Sequence, residues 1–357
     1  MFKKIFPFLI FVVVFAGCDD LIEPAKENNR SLEDAHEEAA FAQGLLLNGY
    51  NRVPTNDWSF SDVATDNAVT NDRNSDYRRM ATGQWAADFN PMQEWQDCFA
   101  GIQYMNILLD EADKVEWAEN EQVKMMFNDR MKGEAYGLRA MFYFYLLQSH
   151  GGWTADGQLL GVPLILEPQD KDTDFEDLER ATFEECMQQI YDDLDRAEEL
   201  LPLDYEDVSS EEEIPEKYKS EGVTENQYNR VFGFYNRLRM TARIAKGYRA
   251  KAALLAASPS YNEGTNTTWA DVADYAAEVI DLNGGLSGLA SDGFTWYSNT
   301  DEISDIGGGE NPQEILWRGE ISGSDDTDLE SDHFPPTLYG DGRLNPTQNL
   351  VDAFPMA

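Results

Sequence analysis

Residues 180–202, RATFEECMQQIYDDLDRAEELLP, carry the clearest helix start and stop signals in the chain. Thr182 stands as an N-cap with Glu185 three residues later, the spacing of a capping box. Leu201-Pro202 ends the pattern. The apolar face between these points recurs at helical spacing at Cys186, Ile190, Leu194 and Ala197. The stretch therefore predicts an amphipathic helix.

Similar periods on both sides of this stretch predict further helices at about 33–52, 93–115, 121–149, 235–258 and 268–282. In the last of these, Trp269 is expected to face inward with Val272, Ala276 and Ile280. The polar stretches 53–84 and 203–229 predict long loops, and 284–357 predicts irregular structure. Helices paired by loops, with alanines on their facing sides, favour a mainly α fold of tetratricopeptide-like helical hairpins.

The N-terminus has the pattern of a bacterial lipoprotein signal. Lys3 and Lys4 precede an apolar run, 5–15, that is too short to span a bilayer, and small residues lead to Cys18. This pattern predicts a signal peptide over 1–17, lipidation of Cys18 and an acidic tether over 18–32. The alternative is an ordinary secretory signal that ends near a cysteine.

The net charge of the chain limits the classes of partner, and its few cysteines limit the disulfides that it can form. The formal net charge of −40, from 67 acids against 27 bases, argues against nucleic acid, because the phosphates would be repelled. Apart from Cys18, the cysteines are Cys98 and Cys186, and both lie inside helical patterns. Free buried thiols are therefore expected rather than a disulfide.

Four ordered segments resemble the SusD/RagB family of surface glycan-binding lipoproteins. The capped helix at 180–202 is one. The second is GEAYGLRA (133–140), followed by GGW (151–153) and GVPL (161–164). The others are AKAALLAASP (250–259) and a C-terminal set formed by NPQEIL (311–316), NPT (345–347) and VDAF (351–354).

This resemblance implies a SusD-like helical scaffold with ligand loops over 33–283 and a loop-rich C-terminal region over 284–357. Family members usually continue well beyond the VDAF segment, so it also implies a truncated C-terminal region. The implied partners are an oligosaccharide and a SusC-like TonB-dependent barrel. The implied location is the surface of the cell outer membrane, held there through the lipid anchor.

Two aromatic loops are the candidates for ligand binding, because flat rings stack on sugars and amide or charged groups bond their hydroxyls. The first loop supplies Asn67, Arg73, Tyr77 and Arg78, and the second supplies Trp296 and Tyr297. No motif fixes individual positions, and each ring has the alternative role of filling a gap under its loop.

Three other aromatic residues are weaker candidates for ligand binding or are expected to have a packing role. Trp153 and Trp317 are assigned to packing, because the family pattern has a turn at the first and an apolar residue at the second. Tyr339, between a Pro-Pro pair and a glycine, is a weaker binding candidate.

No catalytic constellation is visible, since His36, His150 and His333 lack ligand spacing and neither HExxH nor GxSxG occurs. The acidic run 325–332 lacks the glycine and the final acid of an EF-hand, so a solvated loop is expected rather than a metal site. No cofactor is expected. The predicted function is glycan capture for a transporter. Binding of peptides or other polymer fragments, and surface glycan hydrolysis, are the alternatives.

Overall fold

The computed structural model describes residues 34–54, 61–86, 88–170, 178–289, 314–319 and 331–354. Within these ranges the α-helices are α1 (Asp34–Glu37), α2 (Ala39–Tyr50), α3 (Asp76–Ala81), α4 (Trp95–Glu111), α5 (Glu121–His150), α6 (Phe183–Leu200), α7 (Glu216–Lys219), α8 (Glu225–Phe232), α9 (Ala242–Ala257), α10 (Trp269–Leu282) and α11 (Gln348–Ala353). The fold is mainly α, as the periodicity predicts.

Four two-residue strands accompany the helices. They are β1 (Ala68–Val69), β2 (Gly152–Trp153), β3 (Leu159–Leu160) and β4 (Asn345–Pro346). β1 pairs with β4 and β2 pairs with β3, both antiparallel. In the described part of the chain, no helix is long and apolar enough to cross a membrane.

The long helices pack against one another in the order in which they follow along the sequence. α2 contacts α4, α4 contacts α5, α5 contacts α6, α6 contacts α9, and α9 contacts α10. Each helix therefore lies against the one before it. This arrangement confirms the expected stack of helical hairpins.

Side-chain caps fix where several of these helices begin, including α5 and α6. The Thr182 hydroxyl accepts the Glu185 N–H at 3.1 Å, and the Glu185 carboxylate accepts the Thr182 N–H at 2.8 Å. The capping box predicted for α6 is confirmed. In the same way the Asn120 side chain accepts the Val123 N–H, which starts α5.

The core lies between α4, α5 and α6, where large apolar side chains are fully buried. A Cβ atom on Gly101 of α4 would come 2.5 Å from the Phe142 ring of α5, so the glycine permits this close approach. Cys98 and Cys186 are buried free thiols, as expected. Burial raises the pKa of Cys186 to about 11, so the thiol stays protonated.

Two charged pairs are enclosed in this core. Arg139 of α5 holds Asp193 of α6 through two hydrogen bonds of 2.8 and 2.6 Å and also donates to Asn106 of α4 at 2.8 Å. Arg130 donates to Glu134 at 2.7 Å on α5. The first of these pairs links three consecutive helices of the stack.

The prediction of a loop over 203–229 is wrong. This stretch contains α7 and most of α8, and a second apolar cluster forms there around Tyr205, Tyr218, Tyr228 and Phe232. The aromatic residues are spaced among many acids, so their shared face does not show in the mean hydropathy. Burial of these rings stabilises the segment, although its acidic composition predicts a solvated loop.

Three smaller expectations also differ from the structure. The first helix breaks at Glu38, and the helix expected from 235 begins at 242, after Thr241 caps it. The stretch 53–84 contains β1 and α3, so Tyr77 and Arg78 lie on a helix and not in a loop. Ser75 caps that helix by accepting the Arg78 N–H at 3.3 Å.

Trp269 is exposed and not inward as predicted. It is the first residue of α10, which packs mainly on α9, meets α6 through the rings of Tyr191 and Tyr275, and buries none of its residues fully. A helix covered on one side leaves part of its apolar face in solvent. The spacing of apolar residues identifies which face of α10 is apolar. It does not tell how much of that face is covered by other elements.

Candidate functional site

A surface groove of about 800 Å³ opens where the start of α4, the end of α5 and the connection between α3 and α4 meet. We call it the tryptophan groove, and its apolar and aromatic wall is formed by Trp85, Phe89, Pro91, Trp95 and His150. This volume lies within the range of small-ligand sites. The groove is therefore large enough for several sugar units.

Backbone contacts within the connection set the shape of one wall. Ala86 and Phe89 exchange two N–H···O bonds of 3.2 and 2.9 Å, and the Asn90 side chain accepts the Met92 N–H at 3.0 Å. The Arg79 guanidinium lies 3.8 Å from the centroid of the Phe89 ring. The segment is thus folded by its own contacts, while 56% of Trp85 remains exposed.

Trp95, the first residue of α4, supplies the second half-exposed indole. It is 42% exposed, and its ring lies 4.7 Å from Phe99 and 5.3 Å from His150 between centroids. The His150 contact is edge-to-face, with an interplanar angle of 84°. Because these rings already hold the indole, little side-chain freedom remains to be lost on binding.

His150 presents a neutral imidazole to the groove. Its Nε2 accepts the Glu94 N–H at 3.2 Å, which requires an unprotonated nitrogen. Burial, followed by the Arg180 charge, lowers the pKa of His150. Burial and the neighbouring Asp97 raise the pKa of Glu94.

The polar groups of the tryptophan groove suit uncharged hydroxyls. Asn90, Gln93 and Ser149 offer donors and acceptors, and Asp76 and Asp88 add two carboxylates. The described lining contains no Lys or Arg. Arg79 pairs with Asp76 at 3.2 Å and so partly neutralises the lining, which suits a neutral ligand.

One predicted ligand residue, Tyr77, lies in a cavity next to this groove. The cavity has a volume of about 420 Å³, and Tyr77 lines it with Asp72, Asp76, Asp332 and Arg343. Asp76 also lines the tryptophan groove. The two cavities therefore adjoin at the start of α3.

The other predicted residues are not brought into either described cavity lining. Asn67 is exposed and its carbonyl accepts the Thr347 N–H at 2.8 Å. Arg73 is exposed, and Arg78 is half-buried on α3. Their role in binding stays a prediction. Trp296, Tyr297 and Cys18 lie outside the described residues.

Trp85 and Trp95 were missed by the sequence reasoning. Trp95 lies in phase with the buried stripe of α4, so the period alone assigns it to the core. The useful signal was local: Trp85, Phe89 and an Asn-Pro pair lie close together just before a helix start. Aromatic and amide residues in such a turn have the composition of a sugar site.

The three remaining aromatic candidates, Trp317, Trp153 and Tyr339, differ in how far they are buried. Trp317 packs against the main core and donates its indole N–H to the Leu238 carbonyl at 2.9 Å, as expected for a packing residue. Trp153 is half-exposed, and its N–H donates to Ser260 at 2.7 Å, so it is fixed on the surface and not packed inside. Tyr339 is 98% exposed. Its role stays a prediction.

Most of the acidic run 325–332 lies outside the described residues. Within the described ranges, no group of three or more His, Cys, Asp or Glu side chains is arranged to hold a metal ion.

Solved structures share this fold. A SusD-like protein from Bacteroides fragilis is 20% identical, with a TM-score of 0.59, over 94% of this chain and 56% of its own. A protein from Bacteroides vulgatus is 17% identical, with a TM-score of 0.56, over 89% of this chain and 62% of its own. At these identities the likeness concerns the fold, and the chain spans less than two thirds of the length of either protein.

A laminarin-binding SusD-like protein is 19% identical, with a TM-score of 0.50, over 78% of this chain and 50% of its own. No curated protein matches the chain. A family model does: that of SusD-like proteins, described as starch-binding and associating with the outer membrane, matches residues 26–214. Since this match covers more than half of the chain, the protein belongs to the SusD-like family.

Proposed function

We propose that the protein is a cell-surface lipoprotein that captures a neutral oligosaccharide in the tryptophan groove and delivers it to a SusC-like TonB-dependent transporter. The observation that carries the proposal is the pair of half-exposed indoles, Trp85 and Trp95, lining one groove with hydroxyl-binding side chains. Indole faces stack on the apolar side of a pyranose, and amides bond its hydroxyls.

The relatives support a glycan as the ligand class. The family description names starch, and one protein of the same fold binds laminarin. Both are neutral glucans, which fits a groove whose charged lining groups are carboxylates. An anionic polymer would meet repulsion there.

The first test is calorimetric titration of the protein with laminarihexaose and maltohexaose. Replacing Trp85 by Ala should weaken binding of the better ligand by about 1 to 3 kcal/mol, as expected for an aromatic hot spot. Trp269→Ala is the matched control, because Trp269 is 55% exposed and lies on α10, outside the groove lining. Equal effects of the two substitutions would remove the groove from the proposal.

The same samples separate binding from hydrolysis. A binding protein leaves the oligosaccharide intact, so reducing ends should not increase during the titration. Turnover that disappears in an Asp88→Asn variant would instead identify a hydrolase and overturn the proposal.

The lipid anchor has its own test. Cys18→Ser should release the protein from the outer-membrane fraction into the medium or periplasm, because the thiol that would carry the lipid is gone. Metabolic labelling with a fatty acid should mark the unsubstituted protein alone. Labelling of the serine variant would contradict the assignment of Cys18.

A further inference from the structure

The surface beyond the tryptophan groove is built by elements that meet at one end of the helix stack. Arg180, which precedes α6, donates to the His150 carbonyl at the end of α5 at 2.9 Å. The Tyr261 ring, which follows α9, stacks on Phe183, the first residue of α6, with centroids 4.6 Å apart and an interplanar angle of 16°. The end of α5, the start of α6 and the end of α9 therefore adjoin. His150 connects this surface to the groove, because it also lines the groove.

Trp153 continues the row of exposed indoles that begins in the tryptophan groove. It lies on β2, three residues after His150. Three residues of chain span at most about 11 Å, so the Cα atoms of Trp153 and His150 lie no farther apart than that. The Trp153 side chain is 48% exposed, between the 42% of Trp95 and the 56% of Trp85.

The Trp153 ring is fixed on both its backbone and its polar edge. The antiparallel pairing of β2 with β3 places Trp153 opposite Leu159. Its indole N–H donates to the Ser260 carbonyl, beyond the end of α9, at 2.7 Å. The ring is therefore held while about half of its surface faces solvent, and little rotational freedom remains to be lost when a ligand stacks on it.

The loop between α9 and α10, residues 258–268, is anchored on the elements around Trp153. A Cβ atom on Gly264 would come 2.5 Å from the Leu159 side chain, so the glycine permits the loop to approach β3 closely. Asn266 donates its backbone and side-chain N–H groups to the Glu184 carboxylate of α6 at 2.9 and 2.8 Å. The loop is thus a fixed part of this surface.

The same loop supplies hydroxyl and amide groups next to the residue that holds Trp153. The Tyr261 and Asn262 N–H groups both donate to the Ser258 carbonyl at 2.9 Å, which turns the chain at this point. The side chains of Ser260 and Asn262 are exposed. A flat ring accompanied by a hydroxyl and an amide is the combination that binds sugars, and it is also the combination found in the tryptophan groove.

We propose that Trp153, Ser260 and Asn262 form a second contact site for a glycan, so that a long chain leaving the tryptophan groove past His150 also stacks on Trp153. We call this site the Trp153 platform. A flat ring needs no enclosing cavity to stack on a pyranose. The inference rests on the proposed function, and it adds that the preferred ligand is a chain long enough to reach both sites.

The test compares short and long chains of the same linkage by calorimetric titration. The probes are laminaritriose with laminarin, and maltotriose with soluble amylose. Trp85→Ala should weaken binding of both members of the better pair, because both occupy the groove. Trp153→Ala should lower the affinity for the polymer about fivefold through lost stacking and leave the affinity for the trisaccharide unchanged.

A second variant and a control accompany Trp153→Ala. Since that substitution also removes the hydrogen bond to Ser260, Asn262→Ala tests the platform without touching this bond, and it should lower the polymer affinity about threefold. Trp269→Ala should leave the polymer affinity unchanged. Trp269 is similarly exposed at the start of α10, and no group among the described residues accepts its indole N–H. Circular dichroism in urea checks that each variant is folded.

The titrations separate failure of the platform from failure of the groove. If neither ligand length binds, or if Trp85→Ala changes neither affinity, the proposed function is overturned and the platform that extends it is overturned too. If Trp85→Ala weakens both ligands while Trp153→Ala and Asn262→Ala leave the polymer affinity unchanged, only the platform is overturned.

Two further results would also reject the platform alone. Equal losses for trisaccharide and polymer in Trp153→Ala would show that this ring acts on the groove itself. Self-association in sedimentation that Trp153→Ala abolishes, with unchanged polymer affinity, would assign the surface to contact with a second copy of the chain.

Discussion

The α5–α6 interface and the tryptophan groove use polar and aromatic side chains in opposite ways. At the interface Arg139 donates two hydrogen bonds to Asp193 away from water, and Asn106 accepts a third hydrogen bond from Arg139. In the groove, Trp85 and Trp95 keep about half of their surface in solvent. Groups that are satisfied inside the protein stabilise the fold, whereas groups left open are available to a ligand.

This contrast predicts that substitutions at the interface change stability and that substitutions in the groove change binding. The Trp85→Ala titration tests the groove. Asp193→Ala tests the interface, Thr182→Ala tests the helix start that supports it, and His150→Gln tests the residue where the two regions meet.

The largest expected loss of stability follows Asp193→Ala. The substitution leaves the Arg139 guanidinium buried without its carboxylate, which should lower the free energy of unfolding by about 3 to 5 kcal/mol. Urea denaturation followed by circular dichroism measures the change. Asp204→Ala, which breaks a more exposed pair with Arg243, is the control and should cost about 1 kcal/mol or less. Equal losses would contradict the distinction between enclosed and exposed pairs.

An intermediate effect is expected from Thr182→Ala, which removes the hydroxyl that accepts the Glu185 N–H at the start of α6. The expected cost is about 1 kcal/mol in urea denaturation. Thr268→Ala is a matched control, because Thr268 forms the same capping box with Asp271 on α10. Since α10 buries no residue fully, its cap should contribute less to global unfolding. A larger effect at Thr268 would show that α10 is more firmly integrated than its exposure indicates.

The smallest effect concerns pH and His150, where the end of α5 meets the groove. Its pKa is lowered in the folded protein, so the unfolded chain binds a proton first as pH falls below about 6.5. Above that pH His150 is neutral in both the folded and the unfolded chain, and its contribution to the free energy of unfolding is fully present. It is lost as pH falls towards the lowered folded-state pKa.

Denaturation at pH 7 and pH 5 tests this prediction against His150→Gln, whose amide oxygen still accepts the Glu94 N–H without titrating. The raised pKa of Glu94 acts in the opposite direction, because that carboxyl takes up a proton more readily in the folded state. Both proteins retain Glu94, so its effect cancels in the comparison. An identical pH dependence in the two proteins would rule out His150 as the titrating group.

The sequence predicted the long helices that have a clear apolar period. α4, α5 and α6 lie where expected because their apolar stripes are long, and α5 and α6 also begin at side-chain caps, Asn120 and Thr182. The cluster around Tyr218 and Phe232 was not predicted, since its rings are separated by acids and its helices are short. Short helices depend on tertiary packing more than on local pattern.

The candidate site was predicted less well than the fold. Tyr77 does reach a cavity, but Trp95 has the periodicity of a core residue and becomes exposed because it begins its helix. Whether a ring at a helix end is covered depends on the neighbouring elements. That information is in the three-dimensional packing of His150 and the 84–94 segment, and not in the spacing of residues along α4.

The pairing of β1 with β4 has a consequence for the order of folding. It joins Ala68 to Pro346, and the Asn71 side chain also reaches the Asp341 carbonyl at 2.6 Å. Contacts between segments so distant in sequence require a very long loop to close, and closure is slow when few local contacts assist it. The cavity that holds Tyr77, Asp332 and Arg343 should therefore form late, after the helices have stacked. Amide hydrogen exchange during refolding would show protection of residues 68–69 developing after that of α5.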